Sequence, residues 1–254
     1  MKLDPQTECE ARLFGERLRF IQGSGGYRFA IDALILATEP PRIDPPVLDL
    51  GCADGILPVL LWRLFASAPQ VGVEIQPHLA ERARRNVALH GAEEAIEVID
   101  GDLRDLRALV QPQHFRTAIS NPPYYAHNAG RLNPNGERAI AYHELQCTMV
   151  DVMRAARVGL RPDGLLWLIY PVERFADLTA TARQERFNIE YLRFVHPFAQ
   201  EPANRFVAML RLNRRSPPIV APPLVMYREP GHYSDAVEER IERVAAKLPA
   251  DGQL

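Results

Sequence analysis

A chain of 254 residues that is 47% hydrophobic and carries a formal net charge of −2 can bury a substantial core, and its charge does not announce a nucleic-acid binder. It has no apolar run of roughly 18 residues, which excludes a membrane-spanning helix, and the start Met1-Lys2-Leu3-Asp4-Pro5-Gln6-Thr7 lacks the apolar stretch of a secretion signal. Cys9, Cys52 and Cys147 are odd in number and unpatterned, and neither they nor the seven histidines show zinc-type spacing, so the expectation is reduced thiols in a cytoplasm and no metal.

After an N-terminal extension of about 44 residues, Val47-Leu48-Asp49-Leu50 reads as a buried strand that enters the Gly-rich turn Gly51-Cys52-Ala53-Asp54-Gly55 and then the helical stretch Ile56 to Phe65. This is the first βα unit of a nucleotide-binding sheet. A second strand, Val71 to Ile75, carries Glu74 near its end, where a carboxylate can accept both ribose hydroxyl hydrogens. The turn is not the dinucleotide fingerprint, because G-x-G-x-x-G counted from Gly51 requires glycine at Ala53 and Ile56. Leu79, Ala83 and Val87 recur every four residues, with Glu81, Arg82, Arg84 and Arg85 between them, and predict an amphipathic helix. A third strand, Ala95 to Ile99, runs into Asp100-Gly101-Asp102, and Asp102 is a candidate acceptor for an adenine amino group.

The strand Phe115 to Ser120 then ends on Asn121-Pro122-Pro123-Tyr124, at the carboxyl end where open α/β sheets bind ligands. An exocyclic amine or amide nitrogen is a poor nucleophile because its lone pair is delocalised. An enzyme that alkylates it must hold it so that the lone pair can be aimed. The two prolines remove backbone donors and bias Asn121 toward an extended conformation, leaving its side-chain oxygen and the Pro122 carbonyl to accept the two amino hydrogens. Tyr124 offers a flat face for stacking. Taken alone, each acidic residue is more often just a strand-end or helix-cap residue. Asp49, Gly51, Gly55, Glu74, Asp102 and Asn121 form an ordered set at successive strand ends.

Beyond this motif the polar stretch 126–137 is expected to be a substrate loop, and a helix is expected from about Leu145 to Leu160. A turn at Arg161-Pro162-Asp163-Gly164 leads to the strand Leu165 to Tyr170. A helix from Val172 to Arg186 follows, then strands near Ile189–Val195 and Arg205–Leu212, the latter antiparallel. The Pro-rich stretch that begins at Arg214 reads as a wrapped tail, and a last helix, capped by Ser234, aligns Val237, Ile241, Val244 and Leu248.

In this order of motifs the chain resembles the class I S-adenosylmethionine-dependent methyltransferases, and more narrowly the tRNA-valine adenine-N6 methyltransferase family. The narrower resemblance also rests on Gln22-Gly23-Ser24-Gly25-Gly26-Tyr27-Arg28-Phe29-Ala30-Ile31-Asp32-Ala33-Leu34, on Arg138 to Glu144, on Val195-His196-Pro197 and on Pro222 to Tyr227. It implies a Rossmann-like, doubly wound, mostly parallel seven-stranded α/β sheet with an antiparallel edge strand, in a single domain over residues 1–254 with 1–44 as extension and cofactor-access segment. It implies S-adenosyl-L-methionine as cofactor, bound by Tyr27, Phe29, Asp32, Asp49, Gly51, Gly55, Glu74, Asp102 and Asn121. Asn121, Pro122, Pro123 and Tyr124 are the implied catalytic residues. The substrate is then N6 of adenine 37 in a tRNA anticodon stem-loop.

One residue departs from the family pattern: the middle of the turn, usually glycine, is Ala53, whose β-carbon crowds the cofactor if the position needs a positive φ. This admits a rival of another class, a non-catalytic RNA binder. Within the enzymes, glutamine-N5 protein methylation and guanine-N2 methylation of ribosomal RNA need the same two acceptors. Only Lys2 and Lys247 are lysines, so the positive charge is mostly arginine, suited to bidentate phosphate contact. Arg12, Arg17, Arg19, Arg28, Arg131 and Arg138 are candidates for a basic rim, whereas Arg214 and Arg215 read as a solvated strand end.

Overall fold

The computed structural model describes residues 3–13, 18–24, 31–122 and 147–247. Tyr27, Phe29, Pro123, Tyr124, the expected loop 126–137, Arg17, Arg28, Arg131, Arg138 and Leu248 lie outside these residues.

The chain opens with an antiparallel hairpin of β1 (Glu8–Leu13) and β2 (Leu18–Gly23), followed by α1 (Ile31–Thr38). Then β3 (Val47–Leu50), α2 (Ile56–Phe65), β4 (Gln70–Glu74), α3 (Pro77–Leu89), β5 (Ile96–Asp100), the short α4 (Leu106–Leu109) and β6 (Phe115–Ser120) alternate as expected. After β6 come α5 (Met149–Gly159), β7 (Leu160–Pro171), α6 (Phe175–Gln184), β8 (Phe187–His196) and β9 (Arg205–Leu212). The chain finishes with the two-residue strands β10 (Ile219–Val220) and β11 (Leu224–Val225), a small hairpin of β12 (Tyr227–Glu229) and β13 (His232–Tyr233), and α7 (Asp235–Ala245).

One sheet runs β5-β4-β3-β6-β7-β9-β8, with β10 and β11 both added to the outer side of β8, and every strand is parallel to its neighbours except β9. Among the described residues nine strands therefore stand in this sheet where seven were expected, because the Pro-rich tail contributes two short ones. The antiparallel strand is also not the edge. It lies between β7 and β8, so its alternating pattern reflects two covered faces that differ in packing, not an open side.

Strand residues alternate between two cores, as a period of two requires. Val47, Ile119, Trp167, Ile169 and Val207 pack with α1, α2, α3 and α7, whereas Leu48, Ala118, Leu166, Leu168 and Ala208 pack with α4, α5 and α6. Such near-continuous apolar strands are what a parallel sheet covered on both faces demands. By the same alternation Asp49 shares the face of Val47.

Helix starts follow the expected chemistry. Ser234 caps α7 through Val237 N (3.4 Å), and Thr148 and Asp151 form a reciprocal capping box on α5, with Thr148 N donating to Asp151 Oδ2 (2.9 Å). Arg161-Pro162-Asp163-Gly164 is not a free turn: β7 runs through it, with Asp163 at φ 63° and a register shift opposite Phe115. Arg82, expected on the polar face of α3, is 4% exposed.

Away from the strand ends, the buried Glu39 carboxylate at the end of α1 accepts from Tyr191 Oη, Arg193 Nε (2.5 Å) and Arg240 Nη2 (2.7 Å), joining α1, β8 and α7. Removing one partner of a buried ion pair leaves the others uncompensated. Glu39→Ala is expected to lower the unfolding free energy by about 3 kcal/mol, measured by urea denaturation. A loss within the error of the extrapolation would show that the two arginines are re-solvated without cost.

Candidate functional site

The strand order reverses at β3: the chain leaves β3 toward β4 on one side and returns to β6 on the other. The carboxyl ends of β5, β4, β3 and β6 are thus neighbours, the arrangement at which open α/β sheets form a ligand crevice. Four polar residues stand on this row, Asp102 after β5, Glu74 ending β4, Asp49 in β3 and Asn121 after β6. Ser120 donates to the Leu50 carbonyl (2.7 Å) and ties the ends of β6 and β3 together.

The turn from Gly51 to Gly55 has left-handed backbone at Gly51 (φ +82°), Ala53 (φ +47°) and Gly55 (φ +78°). Gly51 and Cys52 both donate their N–H to the Val73 carbonyl (2.9 and 3.1 Å), and Gly55 N donates to Cys52 O (2.8 Å). A β-carbon on Gly55 would stand 3.1 Å from Ala83 Cβ, so the close approach of α2 to α3 requires glycine there as much as the positive φ does. Ala53 takes up the conformation that the sequence made questionable, at a cost of about 1–2 kcal/mol for an L-residue.

Glu74 offsets that cost. Its carboxylate is buried, and Oε2 accepts from Ala53 N while Oε1 accepts from Gln76 N, both at 3.0 Å. Each oxygen retains acceptor capacity for a second donor. Asp49 is 2% exposed and neither of its oxygens has a hydrogen-bond partner among the described residues. Burial pushes its carboxyl up to about 8, and the neighbouring Glu74 carboxylate pushes in the same direction. Burial also raises Glu74. Buried acceptors without donors fit a ligand that brings hydroxyls or positive charge.

The remaining expected residues are distributed less evenly. Asp102 caps a 3₁₀ turn through Arg104 N (2.9 Å), and Arg104 Nε bridges its two oxygens (2.9 and 2.8 Å), which holds the carboxyl below its ordinary value. An adenine amino group at Asp102 would share it with that guanidinium. Asp32, in the first turn of α1, accepts from Arg205 Nε (3.3 Å) at the start of β9, which pairs with the carboxyl end of β7, the strand beside β6. Asn121 is half-buried and Pro122 buried. The Cys52 thiol is raised by burial, and that of Cys147 is raised to about 12 for the same reason, so both stay protonated. Among the described residues no group of three or more His, Cys, Asp or Glu is placed to hold a metal ion. Of the candidate rim, Arg12 pairs with Glu10 (2.8 Å), while Arg214 and Arg215 are exposed beyond β9 as expected.

Three residues that bear on the turn were not singled out from the sequence: Glu8, Arg82 and Asn86. Arg82 Nη1 donates to Asp54 Oδ1 (3.0 Å), Arg82 Nε to Glu8 Oε1 (3.2 Å), and Asn86 Nδ2 to the Asp54 carbonyl (2.8 Å). A signal existed, since positions 82 and 86 flank the apolar stripe of Leu79, Ala83 and Val87, where polar side chains meet partners only inside the fold.

Comparison with known proteins agrees with this geometry. Residues 44–207 match the family model described as "Methyltransferase domain". A Porphyromonas gingivalis protein named tRNA1(Val) (adenine(37)-N6)-methyltransferase is 30% identical, the alignment covering 72% of this chain and 74% of that one. A Vibrio cholerae protein of the same name is 27% identical over 89% of this chain and 93% of its own. Among solved structures, an Agrobacterium tumefaciens protein described as a predicted O-methyltransferase superposes with a TM-score of 0.65 at 22% identity, covering 84% of this chain and 96% of that one. Methanocaldococcus jannaschii Trm5 in complex with adenosine gives 0.59 at 14% identity, covering 82% and 57%. These two show the fold.

The Asp49 carboxyl has a raised value in the folded chain, about 8 against an ordinary 3.8, so the native state holds its proton more tightly than the unfolded state does. Its contribution to stability is therefore complete below pH of about 4 and is lost as pH rises toward 8. Asp49→Asn is expected to flatten this part of the stability profile of the cofactor-free protein and to stabilise it above pH 8. Urea midpoints taken from pH 5 to pH 9 check this; parallel profiles for the two proteins would refute it.

Proposed function

Because the chain belongs to the methyltransferase-domain family, we infer that it uses S-adenosylmethionine to methylate N6 of an adenine in tRNA, the adenine 37 named in its relatives. The observation that carries the reading is the row Asp102, Glu74, Asp49 and Asn121 on four adjoining strand ends, with Pro122 following Asn121. The left-handed backbone at Ala53 supports an enzyme over a binder with a degenerate turn, since the β-carbon has not displaced the glycine-like conformation.

Glu74 and Asp49 would hold the cofactor, the first through its ribose hydroxyls and the second from the buried side of the turn. When bound, the cofactor supplies an electrophilic methyl group on a sulfonium. The carboxamide oxygen of Asn121 and the Pro122 carbonyl accept the two hydrogens of the adenine amine and orient its lone pair. They also stabilise positive charge as it develops on that nitrogen. Catalysis is then mainly positioning and exclusion of water. The protonated thiols of Cys52 and Cys147 agree with direct transfer, without a covalent protein nucleophile. The amine proton leaves to water. Tyr124 would stack on the extruded base, contributing about 1–3 kcal/mol against the few needed to unstack it. An anticodon-loop adenine costs less to extract than a paired one. The hairpin and α1 act with the rest of the chain as one cytoplasmic domain in this reading.

The deciding experiment incubates the protein with labelled S-adenosylmethionine and total tRNA, digests the RNA to nucleosides and looks for N6-methyladenosine. Label in ribosomal RNA or in a protein glutamine instead would overturn the substrate assignment. Asn121→Ala is expected to lose about 10²-fold or more in turnover while still binding the cofactor. Near-normal turnover would remove Asn121 from the amine clamp.

A further inference from the structure

The Gly51–Gly55 turn is left-handed at three of its residues, and the middle one, Ala53, carries a β-carbon. Backbone of this kind persists only where its surroundings over-determine it. Glu74 fixes the amide of Ala53 from within the sheet. The next residue, Asp54, is fixed from outside the sheet at both its side chain and its carbonyl. Arg82 on α3 donates to the carboxylate (3.0 Å) and Asn86, one helical turn later, donates to the carbonyl (2.8 Å).

Both α3 residues are themselves held by the N-terminal hairpin. Glu8 of β1 accepts from Arg82 Nε (3.2 Å) and from Arg85 Nη1 (2.9 Å), and Asn86 exchanges hydrogen bonds with Ile21 N (2.7 Å) and Ile21 O (3.0 Å) of β2. The side chains of Glu8, Arg82 and Asp54 are only 5, 5 and 7% exposed. A guanidinium so desolvated stays paired in one orientation, since losing either carboxylate leaves a buried N–H donor without an acceptor. The hairpin lies outside residues 44–207, which match the methyltransferase model.

We propose that Arg82 is a positioning residue for the cofactor turn, oriented by Glu8, and that this clamp holds Ala53 in the conformation a glycine would adopt unaided. The proposal rests on the reading of the turn as the S-adenosylmethionine site. Cofactor affinity is thereby set in part by the N-terminal hairpin. An ion pair that merely stabilised the fold would change the melting temperature but not the affinity of the folded protein.

Calorimetric titration of the full chain with S-adenosylhomocysteine tests this, using the unmodified protein, Glu8→Gln, Ala53→Gly, the double variant and Arg82→Met. Glu185→Gln serves as control, because Glu185 also pairs with arginines, Arg154 (3.0 Å) and Arg157 (3.3 Å), on the other face of the sheet. Glu8→Gln is expected to weaken binding about tenfold and to raise KM for the methyl donor with little change in kcat. Adding Ala53→Gly should recover most of that loss while changing the unmodified protein little, and Glu185→Gln should leave affinity unchanged. Should Arg82→Met not fold, Glu8→Gln, which keeps the side chain's size, carries the test alone. Unmodified affinity in Glu8→Gln, or no recovery by Ala53→Gly, would overturn the clamp. Absence of binding by the unmodified chain would instead overturn the cofactor reading.

Discussion

The buried carboxylate of Glu74 is the interaction on which the site depends. It accepts the Ala53 and Gln76 amides at 3.0 Å each, so one side chain at the end of β4 fixes both the turn that follows β3 and the segment that leads into α3. Backbone amides in such a turn have no ladder partner and must be satisfied by something else. A carboxylate does this with charge-assisted bonds, stronger than a neutral acceptor would make. Together with the Val73 carbonyl, which accepts from Gly51 and Cys52, it holds the left-handed turn that leads into α2.

The same arrangement concentrates carboxyl groups where the fold can least solvate their charge. Asp49 and Glu74 are both buried and both raised, and Asp54 in the turn between them is paired with Arg82. A protein selected for stability alone would not leave Asp49 without a donor among the described residues. In the proposed reaction the cost has a use, since an unpaired acceptor beside a glycine turn is prepared for a cationic, hydroxyl-bearing ligand. Stability is given up in the place where binding later returns it.

Around this centre the fold separates support from chemistry. Two apolar cores clamp the sheet from opposite faces, and the Glu39 cluster joins α1 to β8 and α7. The N-terminal hairpin is the exception. It adds no strand to the main sheet, yet through Glu8 and Ile21 it reaches the two α3 side chains that hold Asp54.

By itself the sequence determined the alternation of strands and helices from Val47 to Ser120, the turn at Gly51–Gly55, the placing of Glu74, Asp102 and Asn121 at strand ends, and the Ser234 cap. These depend on local period and on residues a few positions apart, so they are written where they act. Only the tertiary structure decided that β9 lies inside the sheet, that Asp32 is drawn to Arg205, that Arg104 engages Asp102, and that Arg82 is buried between Glu8 and Asp54. Each of these is a choice among partners, two of them, Glu8 with Arg82 and Asp32 with Arg205, more than 70 positions apart in the chain. An arginine on a helix looks the same in sequence whether water or a buried carboxylate receives it, and packing alone settles which.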